Sequence, residues 1–219
     1  MGMLIGNNSN NLMSNQQVKL IKKDISTEQL KHYLSRESVA VDCEMMGLNI
    51  NRDRLCLVQL GDENNLISLV QIEQGQTEAP NLKKLLEAEN CKIFHYARTD
   101  LTWLDFYLGI KVNNVFCTKI ASKLARTYTD KHGLKDLCKE VIGKELNKQQ
   151  QSSDWGNEVI NKDQIKYAAS DVLHLHQAKD KLSEMLRREK RYHLAQAAFD
   201  FIPVLAEMDS LGYSNVLEH

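Results

Sequence analysis

Residues 39–48 read Val-Ala-Val-Asp-Cys-Glu-Met-Met-Gly-Leu, an apolar run that ends in two acids and a turn. Alternate side chains of a β-strand lie on one face, so Asp42 and Glu44 are predicted to point the same way. Two adjacent carboxylates disfavour each other's charge unless something positive lies between them. A hard divalent cation, Mg²⁺ or Mn²⁺, is the natural partner. The stretch therefore predicts a strand that ends in half of a metal site.

Composition sets broad limits on the class of protein. The 219 residues are 42% hydrophobic and 26% charged, which is typical of a globular domain. The net charge of −1 does not favour a protein that coats long nucleic acids by charge alone. No apolar run approaches the roughly 20 residues of a membrane span, so no membrane partner is expected. Five cysteines without a CxxC pair predict buried free thiols in a reducing cytoplasm.

The pattern of apolar residues predicts an α/β layer fold. Three successive strands should form an antiparallel meander, and strand–helix alternation follows them. The predicted strands are 18–21, 39–44, 54–60, 65–72, 92–96 and 115–117. The predicted helices are 26–34 with Ser26 as cap, 81–88, 100–108 ended by Gly109, 118–125, 134–142, one long helix from 162 towards 188 with Asn161 as cap, and 192–211 broken at Pro203. We expect a mobile tail over 1–17, a catalytic domain over 18–190 and a C-terminal helical segment over 191–219.

Two later segments supply further acids. Asp100 follows a strand at the start of a helix, and Asp171 lies four residues after Tyr167 on a helix, so these two share a face. If Asp42, Glu44, Asp100 and Asp171 converge, they can hold two divalent ions about 3.5–4 Å apart, as in-line phosphoryl displacement requires. The Tyr167 hydroxyl could then orient the attacking water.

Each piece alone has an ordinary explanation. An isolated Asp-x-Glu is usually a solvated strand end, and Asp100 alone would be read as a helix cap. Asp171 would be a solvated or paired acid, and Tyr167 the edge of the core. The metal-site hypothesis depends on the order of the three segments and on the element that each one follows.

The three segments and their flanks resemble a known family. The sequences DCEMMGL, RLCLVQLGD, HYARTDLTWL and NKQQQSSDW before YAASD are similar to the motifs of the DEDD 3′–5′ exonucleases, in the tyrosine subgroup and the ribonuclease D group. The likeness spans roughly residues 20–185. The C-terminal LAQAAFDFIPVLAEMDSLGY and the short length resemble the compact oligoribonuclease branch called nano-RNase C. This resemblance implies a ribonuclease H-like mixed sheet flanked by helices.

The resemblance also implies roles for residues. Metal ligands would be Asp42, Glu44, Asp100 and Asp171, and Tyr167 would orient the water. The histidine subgroup would place its base at position 166, which is a lysine here, so the tyrosine assignment is preferred. Leu48 is expected to be an apolar wedge against the substrate bases, or else an ordinary loop residue.

Further substrate contacts are expected in two places. His95 either contacts substrate or is a structural histidine. In the polar loop, Lys148 and Gln151 are predicted nucleotide contacts, because they supply a point charge and hydrogen-bond donors. Trp155 either stacks on a base or anchors this loop to the sheet, and Arg98 is a further candidate for a phosphate contact.

The predicted function is a two-metal-dependent 3′–5′ exoribonuclease that releases nucleoside 5′-monophosphates from short oligoribonucleotides, dinucleotides included. The alternatives are trimming of tRNA 3′ ends in the manner of ribonuclease D, and an exonuclease that acts on both RNA and DNA. A non-catalytic nucleic-acid-binding module and a purely structural domain are the rivals from other classes. The resemblance further implies a homo-oligomer, with a ring as one form.

Overall fold

A computed structural model describes residues 17–146, 150, 152–213 and 215–217. Its strands are β1 (Gln17–Lys22), β2 (Ser38–Met45), β3 (Leu55–Gly61), β4 (Leu66–Gln71), β5 (Cys91–Phe94) and β6 (Val115–Cys117). Its helices are α1 (Thr27–Leu34), α2 (Pro80–Leu86), α3 (Ala97–Leu108), α4 (Thr118–Ala125), α5 (Leu134–Ile142), α6 (Lys162–Leu173), α7 (Leu175–Arg188) and α8 (Tyr192–Ser210).

The six strands form one mixed sheet in the order β1-β4-β3-β2-β5-β6. Strands β2, β3 and β4 pair antiparallel, whereas β5 runs parallel to β2 and β6 parallel to β5. The predicted meander followed by βα units is therefore confirmed, and so is the ribonuclease H-like α/β fold. Because β2, β5 and β6 run parallel, their carboxyl ends lie at one edge of the sheet, where the acidic segments follow them.

Burial explains why β2 and β3 lie in the middle of the sheet. Val39, Ala40 and Val41 of β2 are fully buried, and all residues of β3 are buried. A strand that is covered on both faces needs a nearly continuous apolar sequence. β3 has that character, with Gln59 as its polar exception, and so does the first half of β2.

Local sequence signals set several helix ends. Ser26 and Asn161 each form a complete capping box at the start of a helix, with Gln29 and Gln164 as their partners. Gly109 ends α3 with a φ of 59°, a left-handed conformation that glycine adopts without strain. These predicted caps and stops are confirmed.

Three helix predictions are wrong in detail. Helix α3 begins at Ala97 rather than Asp100, because Tyr96 adopts a left-handed φ of 72° and turns the chain earlier. The predicted long helix is two helices, because the chain leaves helical geometry at His174, where φ is −107° and ψ is 0°.

Helix α8 continues through Pro203 instead of breaking there. Proline removes one backbone donor and normally kinks a helix. The buried side chains Phe199, Ile202 and Ala206 lie on both sides of Pro203, so packing holds the two halves together. No helix within the described ranges is long and apolar enough to cross a membrane.

Candidate active site

Two acids of the site come from the end of β2. Asp42 pairs with Gln59 and Glu44 pairs with Leu57 across the antiparallel ladder, so both acids lie on the same face of the sheet. The register shifts directly after Glu44, at a bulge between Glu44 and Met45. Such bulges end regular pairing and turn the chain away. The strand thus presents both carboxylates at its carboxyl end.

The third acid comes from α6, which packs against β2, β3 and β4. This approach is close at Gly61, where a Cβ atom would lie 3.2 Å from Cγ2 of Val172. Asp171 precedes Val172, so the same close packing brings its carboxylate to the sheet. Ligand atoms of Asp42, Glu44 and Asp171 all lie within 4.8 Å of one another. The structure therefore brings together three of the four predicted metal-binding acids.

The fourth acid, Asp100, lies in the first turn of α3 and is 5% exposed. It is outside the group of three, but its charge raises the pKa of both Asp42 and Glu44. Asp100 itself accepts hydrogen bonds from the backbone N–H and the thiol of Cys43. Cys43 lies between Asp42 and Glu44 in β2. This strand therefore carries two of the carboxylates and hydrogen-bonds the third, that of Asp100.

The acids carry strongly perturbed pKa values. Burial, and then the charges of Asp171 and Asp100, raise the pKa of Glu44 to about 9. Burial and the charges of its three acidic neighbours raise the pKa of Asp42 well above its usual range. Burial likewise raises the pKa of Asp100. Negative charges in such a group of half-buried acids disfavour one another, and oxygen ligands suit hard divalent cations. The donor set therefore fits Mg²⁺ or Mn²⁺.

Tyr167 lies next to this group, one turn before Asp171 on α6. Its hydroxyl is hydrogen-bonded to Asp171, and its ring centroid lies 6.0 Å from that of Trp155. Burial and the charges of Asp171, Glu44 and Asp42 raise its pKa, so the phenol keeps its proton at neutral pH. Lys166, at the position of the histidine subgroup's base, is exposed and lies 3.9 Å from Asp163. The tyrosine is thus the side chain that α6 turns towards the acids.

The predicted substrate-binding residues lie in different environments. Leu48 is 91% exposed beyond β2, so it is available for a ligand. His95 is half-buried, and its Nδ1 lies 2.9 Å from the hydroxyl of Thr118, which itself donates to the Phe94 carbonyl. This bond gives His95 a structural partner. Lys148 and Gln151 lie outside the described residues.

Trp155 is only 2% exposed, which argues against the predicted stacking on a base. Its alternative role, anchoring the polar loop, agrees with the contacts around it. Arg54 donates to the Gly156 carbonyl at 2.8 Å, and Gln71 donates to the carbonyls of Asn157 and Glu158. The end of the loop is therefore fastened to the sheet beside Tyr167.

Two polar contacts of the site were not predicted from the sequence. Gln59 donates a hydrogen bond to Asp42, and Asp209 binds Arg98. The pairing of Arg98 with an acid also argues against the predicted phosphate contact. For Gln59 the available signal was a lone glutamine in the apolar run LCLVQL. For Asp209 the sequence offers no signal, because the partners are far apart in the chain.

An RNase H-like sheet with acids gathered at one edge and a tyrosine beside them defines a nuclease domain. A model of the 3′–5′ exonuclease family matches residues 17–187. The chain belongs to the 3′–5′ exonuclease family, which confirms the resemblance inferred from its motifs.

Individual relatives agree with this assignment. The structure of Brucella melitensis NrnC bound to pGG is 44% identical, with a TM-score of 0.88 over 93% of this chain and 99% of that chain. Brucella melitensis NrnC with bound Mg²⁺ is 43% identical, with a TM-score of 0.87 over 93% of this chain and 100% of that chain. Ribonuclease D of Gluconacetobacter diazotrophicus is 32% identical over 153 residues, which are 70% of this chain and 39% of that protein. The chain thus spans about two fifths of the length of this ribonuclease D.

Proposed function

We propose that the chain is a divalent-metal-dependent 3′–5′ exoribonuclease that degrades short oligoribonucleotides, dinucleotides included, to nucleoside 5′-monophosphates. The observation that carries the proposal is the group of three carboxylates within 4.8 Å of one another, with Asp100 acting on them through its charge. The substrate class is supported by NrnC, which is similar over nearly its whole length and has been captured with pGG.

The cations would be held by the four acids Asp42, Glu44, Asp100 and Asp171. Two observations support this assignment: carboxylate oxygens suit divalent cations, and the similar NrnC structure contains bound Mg²⁺. Bound divalent ions supply activation of a water and stabilisation of charge on the departing oxygen. Tyr167 keeps its proton, so its hydroxyl orients the water by hydrogen bonding rather than acting as a phenolate base. Leu48, exposed on the turn after β2, contacts the bases of the substrate.

The proposal includes a homo-oligomer in a cytoplasmic location. Helix α8 and the residues after it expose large apolar side chains, namely Leu194, Phe201, Val204, Leu211 and Tyr213. Exposed apolar surface of this kind is typical of protein–protein contacts. All five cysteines are free thiols, as in a reducing compartment. Light scattering of the purified chain would measure the number of subunits.

The activity is tested with three 5′-labelled substrates: a diribonucleotide, a longer RNA and a DNA of the same length. Each is incubated with wild type and with Asp171→Asn, in Mg²⁺, Mn²⁺ or EDTA. We expect metal-dependent release of mononucleotides by wild type, fastest from the diribonucleotide, and little release by Asp171→Asn. Faster cleavage of the longer RNA would favour 3′-end trimming, and equal cleavage of DNA would favour a general exonuclease. No metal-dependent release from any substrate would refute the proposal.

A further inference from the structure

Gln59 lies in the middle of β3 and is fully buried. It is the ladder partner of Asp42, so both side chains lie on the face that α6 covers. Its Nε2 donates a hydrogen bond to Oδ2 of Asp42 at 3.2 Å. A neutral side chain in the wall of the sheet thus contacts one of the candidate metal ligands directly.

The carbonyl oxygen of the Gln59 side chain has an unusual environment. Gln59 Oε1 is buried and has no hydrogen-bond partner among the residues that the structure describes. A buried acceptor without a donor costs stability, so an apolar residue would suit this strand better. By contrast, the buried Gln71 on β4 uses its amide to fasten backbone carbonyls of the polar loop. Within the described part of the chain, the side-chain hydrogen bond of Gln59 goes to Asp42, which indicates a role at the acid and not in the sheet.

We propose that Gln59 is a positioning residue that fixes the carboxylate of Asp42 for metal binding. Its hydrogen bond holds Oδ2 of Asp42 against β3 and so restricts rotation of the carboxylate. Oδ1 does not take part in that bond. Hydrogen-bond partners of metal ligands commonly tune affinity in this way. This inference rests on the proposed function, because it assumes that Asp42 binds a cation.

The charge state of Asp42 also determines which end of the Gln59 amide faces it. When Asp42 binds a cation, its carboxylate is ionised and has only acceptor atoms, so the amide must then turn its NH₂ towards Asp42 and its oxygen away. That orientation accounts for the orphaned Oε1. A side chain of similar length without a donor would fill the same space and lose only the link to Asp42.

Two variants test the inference. Gln59→Met keeps the length and removes the donor, and Gln59→Asn keeps the amide but withdraws it by one methylene. Ser68→Ala is the matched control, because Ser68 is a fully buried residue of β4 that bonds Tyr33 and Gln29 instead of an acid. The dissociation constant for Mn²⁺ alone is measured by titration without substrate, and thermal unfolding is measured in EDTA.

We expect both Gln59 variants to bind Mn²⁺ about 10- to 100-fold more weakly than wild type, and Ser68→Ala to bind as wild type does. In EDTA the unfolding midpoint of Gln59→Met should be no lower than that of Ser68→Ala. Wild-type affinity in either Gln59 variant overturns the inference. So does a Gln59→Met protein that fails to fold while Ser68→Ala folds, because Gln59 would then serve the sheet. Absence of Mn²⁺ binding by wild type would instead refute the proposed function.

Discussion

Arg98 and Asp209 form a bidentate ion pair that links α3 to the end of α8. Nε of Arg98 lies 2.6 Å from Oδ2 of Asp209, and Nη2 lies 2.7 Å from Oδ1. Arg98 precedes Asp100 by two residues, so this pair braces the turn of α3 that carries an acid of the site. The C-terminal helix is thereby linked to the candidate active site.

Asp209→Asn should remove the charge of this pair and loosen the end of α8. Because Arg98 is about a third exposed, we expect a loss of about 1 kcal/mol in the free energy of unfolding. That loss lowers the melting temperature by about 2–4 °C for a chain of this size. Glu207→Gln is the control, because its pair with Lys111 is largely exposed on both sides. Equal melting temperatures for wild type and Asp209→Asn would contradict the bracing role.

Tyr167→Phe should lower kcat by about 100-fold and leave the Mn²⁺ dissociation constant unchanged. The change removes the hydroxyl beside Asp171 but none of the carboxylates. Initial rates on a diribonucleotide and a Mn²⁺ titration measure the two effects separately. Tyr128→Phe, which removes an exposed hydroxyl that donates to Glu140, should leave both unchanged. A weaker Mn²⁺ affinity in Tyr167→Phe would mean that the hydroxyl supports the metal site.

Metal-free stability should fall as pH rises, because of Glu44. Its pKa of about 9 in the folded protein exceeds that of about 4.3 in an unfolded chain. A raised folded-state pKa stabilises the protein fully below the unfolded value, and this contribution is lost as pH rises towards the folded value. In EDTA, the melting temperature of wild type should therefore fall between about pH 4.3 and about pH 9 relative to Glu44→Gln.

Mn²⁺ should reduce that dependence in wild type, because metal binding displaces protons from the acids. Glu44→Gln should gain less stability from Mn²⁺ at every pH, since it lacks one ligand. Parallel pH profiles for wild type and Glu44→Gln in EDTA would show that the pKa of Glu44 is not raised.

Leu48→Ala should weaken substrate binding without destabilising the fold. The side chain is 91% exposed, so the free protein loses little packing when it is shortened. If the leucine is buried against a base in the complex, its loss costs about 1.5–3 kcal/mol, or about 10- to 100-fold in KM. Steady-state kinetics and thermal unfolding give the two readouts. Leu34→Ala, at the end of α1, controls for general loss of apolar surface, and an unchanged KM in Leu48→Ala would argue against the wedge.

Gly47→Ala should disturb the turn that carries Leu48. A Cβ atom at position 47 would lie 2.3 Å from Oδ2 of Asp53. Asp53 cannot easily move, because it pairs with Arg52 and accepts the Asn49 N–H. We expect a loss of about 1–3 kcal/mol in stability and a raised KM. Gly156→Ala should cost less, because its Cβ would meet the flexible end of Met46 at 2.9 Å.

Short-range stereochemistry made much of this protein predictable from sequence. The capping boxes at Ser26 and Asn161 and the stop at Gly109 involve residues within one helical turn. The break at His174 and the continuous α8 were missed, since helical spacing persists through both regions. Packing of Phe199 and Ile202 overrides the local penalty of Pro203, and such packing is invisible to a local pattern.

Contacts between distant segments were decided only by the tertiary structure. Gln59 meets Asp42 because of the strand register, and Arg98 meets Asp209 because α8 packs on α3. The identity of Trp155 alone does not decide whether its ring faces a substrate base or the protein core. Its burial depends on how the loop is fastened by Arg54 and Gln71.

The sequence by itself determined which side chains share a face. A period of two places Asp42 beside Glu44, and a helical turn places Tyr167 beside Asp171, whatever surrounds them. Only the tertiary structure decided that these two pairs meet, with acid oxygens within 4.8 Å. The physical reason is that their approach depends on strand order and on the close packing of α6 at Gly61, which many residues fix together.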